Sequence, residues 1–178
     1  MRDADGVLEP DGDRWRLRFT RRLPYSRETV WRALTEPEGL KAWFPDRIVV
    51  SEWAVGAPLQ FGNPLAEFDG EVFAFERPSL IEFRWGTDRI RLELAPDGDG
   101  SVLTLLDTID QLGKAARDAA GWNECLDNLE QHLTGTSPTW RPGDRWRAVH
   151  GTYVERFGPQ GSSIGPPEGW EEAATRQS

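Results

Sequence analysis

Residues 115–133, AARDAAGWNECLDNLEQHL, decide the fold, because their apolar side chains recur at the spacing of one helical face. The stripe consists of Ala119, Trp122, Leu126, Leu129 and Leu133. Gly135 follows as a typical stop signal for a helix. The pattern predicts the longest helix of the chain, with one apolar face that another layer of structure must cover.

The covering layer is predicted from the residues upstream of this helix. In residues 14–23, RWRLRFTRRL, apolar side chains alternate with arginines, and a two-residue period is typical of a strand with one buried face. The arginine row predicts a solvated face. Residues 47–110 contain further alternating runs, separated by turn signals such as PDGDG at 96–100, which favours an antiparallel meander.

Two short helices are predicted between the first strand and the meander. Ser26 is a typical N-cap with Glu28 in the following turn, and Pro45 stops the second helix. Residues 35–38, TEPE, combine capping-box spacing with a proline in the first turn. The order of elements predicts an α+β fold, in which a curved antiparallel sheet wraps round the long C-terminal helix and encloses an apolar cavity.

Four segments follow from these patterns. We expect a flexible N-terminus over residues 1–12 and the α+β domain over 13–135. An extension with one amphipathic helix is predicted over 136–158, and its apolar stripe serves either to cap the domain or to form a homodimer contact. Residues 159–178 are rich in Gly, Pro and Ser, which predicts a disordered tail.

Charge and cysteine content exclude several classes of function. The formal net charge of −9 disfavours nucleic acid and anionic membranes, because such a surface repels phosphate. Cys125 is the only cysteine, so thiolate metal clusters and intrachain disulfides are excluded, as suits a reducing compartment. No run approaches the ~20 apolar residues that span a bilayer, and no signal-peptide pattern is visible. We therefore expect a cytoplasmic protein that does not insert into a membrane.

The sequence predicts no metal site, cofactor or catalytic residue. The only histidines, His132 and His150, do not lie at ligand spacing from cysteines or acids. Cys125 precedes His132 by seven residues, or ~10 Å along a helix, which is too far for a nucleophile and its base. Neither a nucleophile elbow nor a phosphate-binding glycine loop is present.

Residues 30–44, VWRALTEPEGLKAWF, resemble the signature of the SRPBCC (START-like) superfamily. Within it they look like the branch named after activators of the heat-shock ATPase chaperone. Gly121-Trp122 with the leucines that follow resembles the C-terminal helix of that family, so the resemblance covers about residues 13–135. It implies a helix-grip fold, with a curved sheet of about six or seven antiparallel strands, and it leaves the activity open because members differ in what they bind.

Nine residues are predicted to contact a ligand in or beside the cavity. Arg21 and Asp107 continue the apolar parity of their strands. Each either points inward, where it orients a polar ligand group or the two pair with each other, or reaches solvent at the strand end. Trp43 lies in the connection before the sheet and forms either part of a lid or an anchor for its helix. For the aromatic residues, core packing is the alternative to ligand contact. The predicted residues are Arg21, Trp43, Phe73, Phe75, Phe83, Trp85, Asp107, Trp122 and Leu126.

The leading functional hypothesis is a binding module for a small hydrophobic or amphipathic molecule, held between the sheet and the C-terminal helix. One alternative is an enzyme similar to polyketide cyclases and aromatases, with Asp107 or Arg21 as the polar group. Another alternative is a chaperone-cofactor or interaction protein, as the family name implies.

Overall fold

The computed structural model describes residues 3–170 and contains an eight-stranded antiparallel sheet and four α-helices. The strands are β1 (Val7–Asp11), β2 (Arg14–Leu23), β3 (Arg47–Val49), β4 (Pro58–Asn63), β5 (Ala66–Glu76), β6 (Leu80–Trp85), β7 (Asp88–Asp97) and β8 (Gly100–Ile109). The helices are α1 (Arg27–Thr35), α2 (Pro37–Trp43), α3 (Ala115–Leu133) and α4 (Asp144–Phe157). The strand order is β1-β2-β8-β7-β6-β5-β4-β3, so the α+β fold class is confirmed.

The two short helices begin where the sequence indicates, but the capping box predicted at residues 35–38 does not form, because Glu36 is the N-cap of α2 and makes no side-chain cap hydrogen bond. The Ser26 hydroxyl accepts a hydrogen bond from the Thr29 amide at 3.3 Å, and Pro37 occupies the first turn of α2. The helices meet at Gly39, where a Cβ would lie 2.2 Å from the Ala33 carbonyl oxygen. Only glycine therefore permits this close approach of α1 and α2.

The sheet buries one face under α3, as the two-residue period of β2 predicts. Leu17 and Phe19 of β2 are fully buried, whereas Arg16 and Arg18 lie on the outer face. Helix α3 spans the predicted residues and packs against α1, α2 and β2, with Leu126 and Leu129 each 1% exposed. The curved sheet and its long helix thus bury their apolar sides against each other.

A β-bulge in β5 changes the face that one predicted residue occupies. The register of β5 against β6 shifts between Val72 and Ala74, so Phe73 is the extra residue. Val72 pairs with buried Phe83, and Phe75 pairs with buried Ile81. Phe73 and Phe75 therefore lie on opposite faces of the sheet, although they share a parity in the sequence.

The prediction of a flexible N-terminus over 1–12 is wrong for the described residues. Strand β1 pairs with β2 along its whole length and closes one edge of the sheet. Pro10 is compatible with this position because an edge strand tolerates a missing amide donor. The sheet consequently has eight strands rather than about six or seven.

The C-terminal extension packs on α3 through the predicted amphipathic helix, α4. Tyr153 of α4 is fully buried, and its hydroxyl donates to Asn123 Oδ1 at 2.6 Å while accepting from the Gly6 amide at 2.8 Å. Asn123 lies off the apolar stripe of α3, so α4 buries a second face of that helix. The extension is thereby fixed to both α3 and the N-terminal segment.

The described part of the predicted disordered tail contacts the domain. The Gly161 carbonyl accepts from the Ala116 amide at 2.9 Å, and the Ile164 amide donates to the Gly113 carbonyl at 3.0 Å. Residues 171–178, the remainder of that prediction, lie outside the described residues. Within residues 3–170, none of the helices has both the length and the apolar character needed to cross a membrane.

Candidate functional site

Packed aromatic rings occupy the region where the sequence predicts a cavity. The Trp122 ring of α3 lies 5.4 Å from the Trp85 ring, 5.8 Å from Phe44 and 6.5 Å from Trp43, between centroids. The Phe83 ring lies 5.9 Å from the ring of Phe44. We call these residues, with Phe61, the ring cluster. Its members Trp43, Phe83 and Trp122 are each 1–2% exposed, so core packing accounts for their inward positions.

The other two predicted phenylalanines lie apart from each other. Phe75 points inward, with its ring 5.4 Å from Trp31 and 6.1 Å from Trp53. Phe73 points outward, where the Arg89 guanidinium lies 4.6 Å from its ring centroid. The prediction that Phe73 lines the interior is wrong, because the bulge in β5 turns it to the outer face.

Arg21 points inward and is buried in an ion-pair network. Its guanidinium contacts Asp5 at 2.7 Å, Asp127 at 2.9 Å and Glu130 at 3.2 Å, so its partners are acids of the N-terminus and α3. Burial opposes the charge of Arg21, but the hydrogen bonds with Asp5 and Asp127 outweigh it and raise its pKa. The alternative that Arg21 reaches solvent is wrong, and its hydrogen-bonding capacity is committed to holding β2 against α3.

Asp107 is fully buried beneath Trp122, whose indole Nε1 donates to Asp107 Oδ2 at 2.7 Å. Asp107 Oδ1 has no hydrogen-bond partner among the described residues. Burial raises the pKa of Asp107 well above its usual range, and the carboxylates of Asp88 and Asp118 raise it further. Asp107 therefore neither reaches solvent nor pairs with Arg21, and its environment favours the neutral acid.

The carboxylates around Asp107 could hold a cation by their spacing. Oxygen atoms of Asp88, Asp107 and Asp118 lie within 4.8 Å of one another. The Lys114 ammonium, however, lies 2.9 Å from Asp88 and 2.7 Å from Asp110. The protein supplies its own cation at this cluster, and we assign no metal ion to it.

An open groove of about 760 Å³ lies on the other side of the ring cluster, between the end of α2, helix α3 and the segment that leads into α4. We call it the tryptophan groove. Its aromatic walls come from Trp43, Phe44, Trp140, Trp146 and Trp170, and its polar lining includes Lys41, Glu124 and Asn128. Trp43 and Phe44 belong to both the groove and the ring cluster, so they separate the groove from the interior.

Hydrogen bonds from α3 build the outer wall of the groove. Both carboxylate oxygens of Glu124 accept backbone amides, from Gly143 at 2.7 Å and Trp146 at 2.9 Å. The Trp140 indole donates to Asn128 Oδ1 at 2.9 Å. Gly143 has a φ of 88°, a conformation that favours glycine, and this turn directs the chain into α4. Trp140 and Trp146 are thus held at fixed positions while their rings stay partly exposed.

Two further side chains define the chemistry of the groove. Cys125 lines it, but burial raises the pKa of its thiol well above the usual range, so the sulfur is not a thiolate nucleophile. Lys41 at the rim is exposed and has no carboxylate partner within residues 3–170. The groove therefore combines apolar ring faces with a free cation at its edge.

Sequence reasoning found Trp43 and missed three further tryptophans of the groove, two in the extension and one in the segment after it. A signal was present, since Trp140, Trp146 and Trp170 are a third of all tryptophans in the chain and follow the predicted domain. Trp140 and Trp146 lie in the segment that was predicted to cap the domain or to form a homodimer contact, and Trp170 lies in the predicted tail. Leu126, another predicted ligand contact, is a buried core residue at 1% exposure.

The sheet that grips a long C-terminal helix defines the helix-grip class of proteins. The family model for activator of Hsp90 ATPase homolog 1-like proteins matches residues 24–134, and the chain belongs to that family. No curated protein matches the chain. The family match ends before the segment that forms the outer wall of the tryptophan groove.

Solved structures share the fold at low sequence identity. A conserved protein of unknown function from Enterococcus faecalis, EF2215, has 22% identity and a TM-score of 0.71 over 85% of this chain and 89% of its own. CalU16 from Micromonospora echinospora has 19% identity and a TM-score of 0.64, covering 85% and 91%. DynU16, from the dynemicin biosynthetic locus, has 25% identity and a TM-score of 0.60, covering 75% and 52%.

Proposed function

We propose that the protein binds a small amphipathic molecule in the tryptophan groove. The observation that carries the proposal is the groove itself, with a volume of about 760 Å³, walls of tryptophan and a lysine at the rim. Sites for small molecules typically have volumes of ~300–1,000 Å³, with aromatic walls and a few polar groups. The proposed ligand is of the class that the sequence predicts, but the proposed binding site lies on the outer side of α3 and not in the interior.

The walls of the groove favour an apolar body for the ligand. Trp43 and Phe44 form the floor, and Trp140 and Trp146 face them from the extension. Indole hydrogen bonds from Trp43 to the Ala33 carbonyl and from Trp146 to the Arg117 carbonyl fix two of these rings. Because the rings are already positioned, the ligand gains apolar burial of ~25 cal/mol per Å² without ordering the site first.

The rim of the groove favours an acidic group on the ligand. Lys41 is the exposed cation at this edge, and Glu124 has both oxygens occupied by backbone amides. An anionic group of the ligand would meet the Lys41 ammonium at the rim, while the oxygens of Glu124 are directed to the Gly143 and Trp146 amides.

Binding is better supported here than catalysis. A cyclase-like reaction needs an acid or base at the substrate. Of the predicted polar residues, Asp107 is buried behind the ring cluster and Arg21 is buried in its ion-pair network. Neither residue is part of the groove lining. A chaperone-cofactor role stays a prediction from the family resemblance.

Titration with the fluorescent probe 1-anilinonaphthalene-8-sulfonate tests this proposal, because the probe combines aromatic rings with an anionic group. We expect micromolar binding to the wild-type protein. Trp140→Ala should weaken binding at least tenfold, which corresponds to about 1.4 kcal/mol. The matched control is Trp15→Ala, because Trp15 is also partly exposed, at 37%, but lies on β2 outside the groove.

A second pair of probes tests the role of Lys41. Lys41→Gln should weaken binding of the anionic probe and leave binding of the uncharged analogue N-phenyl-1-naphthylamine unchanged. Equal affinities of the wild-type, Trp140→Ala and Trp15→Ala proteins would rule out the groove as the site. Equal losses for both probes in Lys41→Gln would exclude a charge contact.

A further inference from the structure

A second cavity, of about 400 Å³, lies on the outer face of the sheet beside the β6–β7 turn. We call it the arginine cavity. Its lining includes Arg14 of β2, Arg84 of β6, Arg89 of β7 and the outward-facing ring of Phe73, together with Thr87 and Thr108. It lies on the side of the sheet opposite α3, so it is separate from the tryptophan groove.

Two of the arginines face each other across neighbouring strands. Arg84 and Arg89 are directly paired in the register of β6 against β7, and like charges in this arrangement destabilise a sheet. Arg84 donates to the Asp69 carbonyl at 3.0 Å and has no carboxylate partner within residues 3–170. Arg89 lies 3.5 Å from Glu82, which Arg91 also contacts at 3.0 Å. The repulsion between the paired arginines is therefore only partly compensated.

A third guanidinium enters the same cavity from β2. Arg14 donates to the Thr87 carbonyl at 3.1 Å, and among residues 3–170 it has no ion-pair partner. The Phe73 ring supports Arg89, whose guanidinium lies 4.6 Å from the ring centroid. The bulge in β5 is what places Phe73 on this face.

The two aspartates in the cavity wall do not neutralise these arginines. Asp88 is paired with the Lys114 ammonium at 2.9 Å. Asp11 accepts a hydrogen bond from the Thr108 hydroxyl at 3.1 Å and lies 3.8 Å from Arg16. The cavity thus keeps an excess of positive charge, in a chain whose formal net charge is −9.

We propose that the arginine cavity binds a doubly charged oxyanion, the phosphate group of a small phosphorylated molecule. Guanidinium groups bind phosphate oxygens through paired N–H donors, and the two arginines that have no carboxylate partner among residues 3–170 match the two charges of a phosphate. The bound anion also removes the repulsion between Arg84 and Arg89. The row of outward arginines on β2 is therefore a solvated face along most of its length and part of a binding site at Arg14.

Thermal unfolding in phosphate and in chloride at equal ionic strength tests the proposal. With a dissociation constant of about 1 mM, about 20 mM phosphate should raise the Tm of the wild-type protein by on the order of 4 °C. Arg84→Gln should lose most of this increase. In chloride, Arg84→Gln should unfold at the wild-type temperature or above it, because the variant removes a like-charge pair.

The matched control is Arg22→Gln, since Arg22 lies on the same face of β2 but is 80% exposed and pairs with Asp97 away from the cavity. This variant should keep the full phosphate effect. Arg14→Gln tests the site from another strand and should also lose most of it. Phenyl phosphate in place of inorganic phosphate distinguishes a phosphorylated small molecule, which binds more tightly, from the free anion. Equal phosphate effects in the wild-type, Arg84→Gln and Arg22→Gln proteins, or none in the wild type, would overturn the proposal.

Discussion

The ring cluster and the tryptophan groove use the same kind of side chain in different ways. In the ring cluster, Trp122 and Phe83 are each 2% exposed and fill the space between the sheet and α3. In the groove, Trp140 and Trp146 are fastened by indole hydrogen bonds and keep ring surface exposed. The comparison teaches that the rings of the cluster serve packing, whereas Trp140 and Trp146 of the extension keep part of their surface available for contact with a ligand.

The largest expected effect is on the free energy of unfolding, which should distinguish a packed ring of the cluster from an exposed ring of the groove. Trp122→Ala should lower the free energy of unfolding by about 3–5 kcal/mol, because it opens a cavity in the core. It also removes the donor to buried Asp107. Trp140→Ala should cost less, about 1–2 kcal/mol, since the ring is partly exposed and loses only its hydrogen bond to Asn128 and its contact with the Arg145 guanidinium. Urea-induced unfolding followed by circular dichroism measures both, and equal losses would contradict the distinction.

A smaller effect tests how the extension is attached to the domain. Tyr153→Phe removes the hydroxyl that joins the Gly6 amide to Asn123 and should lower the free energy of unfolding by about 1–3 kcal/mol. Tyr25→Phe is the control, because the Tyr25 hydroxyl has no hydrogen-bond partner within residues 3–170. The same urea experiment measures both variants. Similar values for the two would mean that this buried contact does not hold the extension.

The smallest expected effect is on the pH dependence of the free energy of unfolding, and it concerns Asp107, the buried acid beneath Trp122. Burial raises the pKa of folded Asp107, so its contribution to stability is fully present below the unfolded pKa of about 3.9 and is lost as the pH rises through the folded pKa. Asp107→Asn mimics the neutral acid and cannot ionise. The variant should match the wild type near pH 4 and become progressively more stable than the wild type as the pH rises.

Asp110, a neighbouring acid, provides a control because its effect on stability changes with pH in the opposite direction. Although burial opposes it, Lys114 lowers the pKa of Asp110 to about 2. The contribution of Asp110 to the free energy of unfolding is therefore present above its unfolded pKa and is lost as the pH falls through its folded pKa of about 2. Asp110→Asn should be less stable than the wild type at pH 7, and the difference should shrink at low pH. Parallel pH profiles for Asp107→Asn and the wild type would refute the neutral state of Asp107.

Much of the fold could be predicted because its signals are local. The stripe of α3, the Ser26 cap of α1 and the alternation in β2 all depend on neighbouring residues, and the structure confirms them. Strand β1 was missed because VLEPD is short, polar and interrupted by a proline. The family resemblance over the domain was also available, since residues 30–44 carry it.

The site was harder to predict, because it depends on contacts between distant segments. The β5 bulge is one extra residue that parity cannot reveal, and it reversed the face of Phe73. The hydrogen bond from Arg21 to Asp127 joins residues that are 106 positions apart in the chain, and the hydrogen bond from the Gly143 amide to Glu124 joins residues 19 positions apart. A hydrophobic pattern indicates which side chains turn inward, but it does not indicate whether the space between them is open or filled.

The central claim is that a ligand binds outside α3, in the tryptophan groove, and leaves the ring cluster in place. A crystal structure of the protein with 1-anilinonaphthalene-8-sulfonate tests it most directly. The account predicts that the probe lies between Trp43 and Trp140, with Trp122 still packed on Trp85. A probe found between the sheet and α3, with the rings of the cluster moved apart, would contradict it.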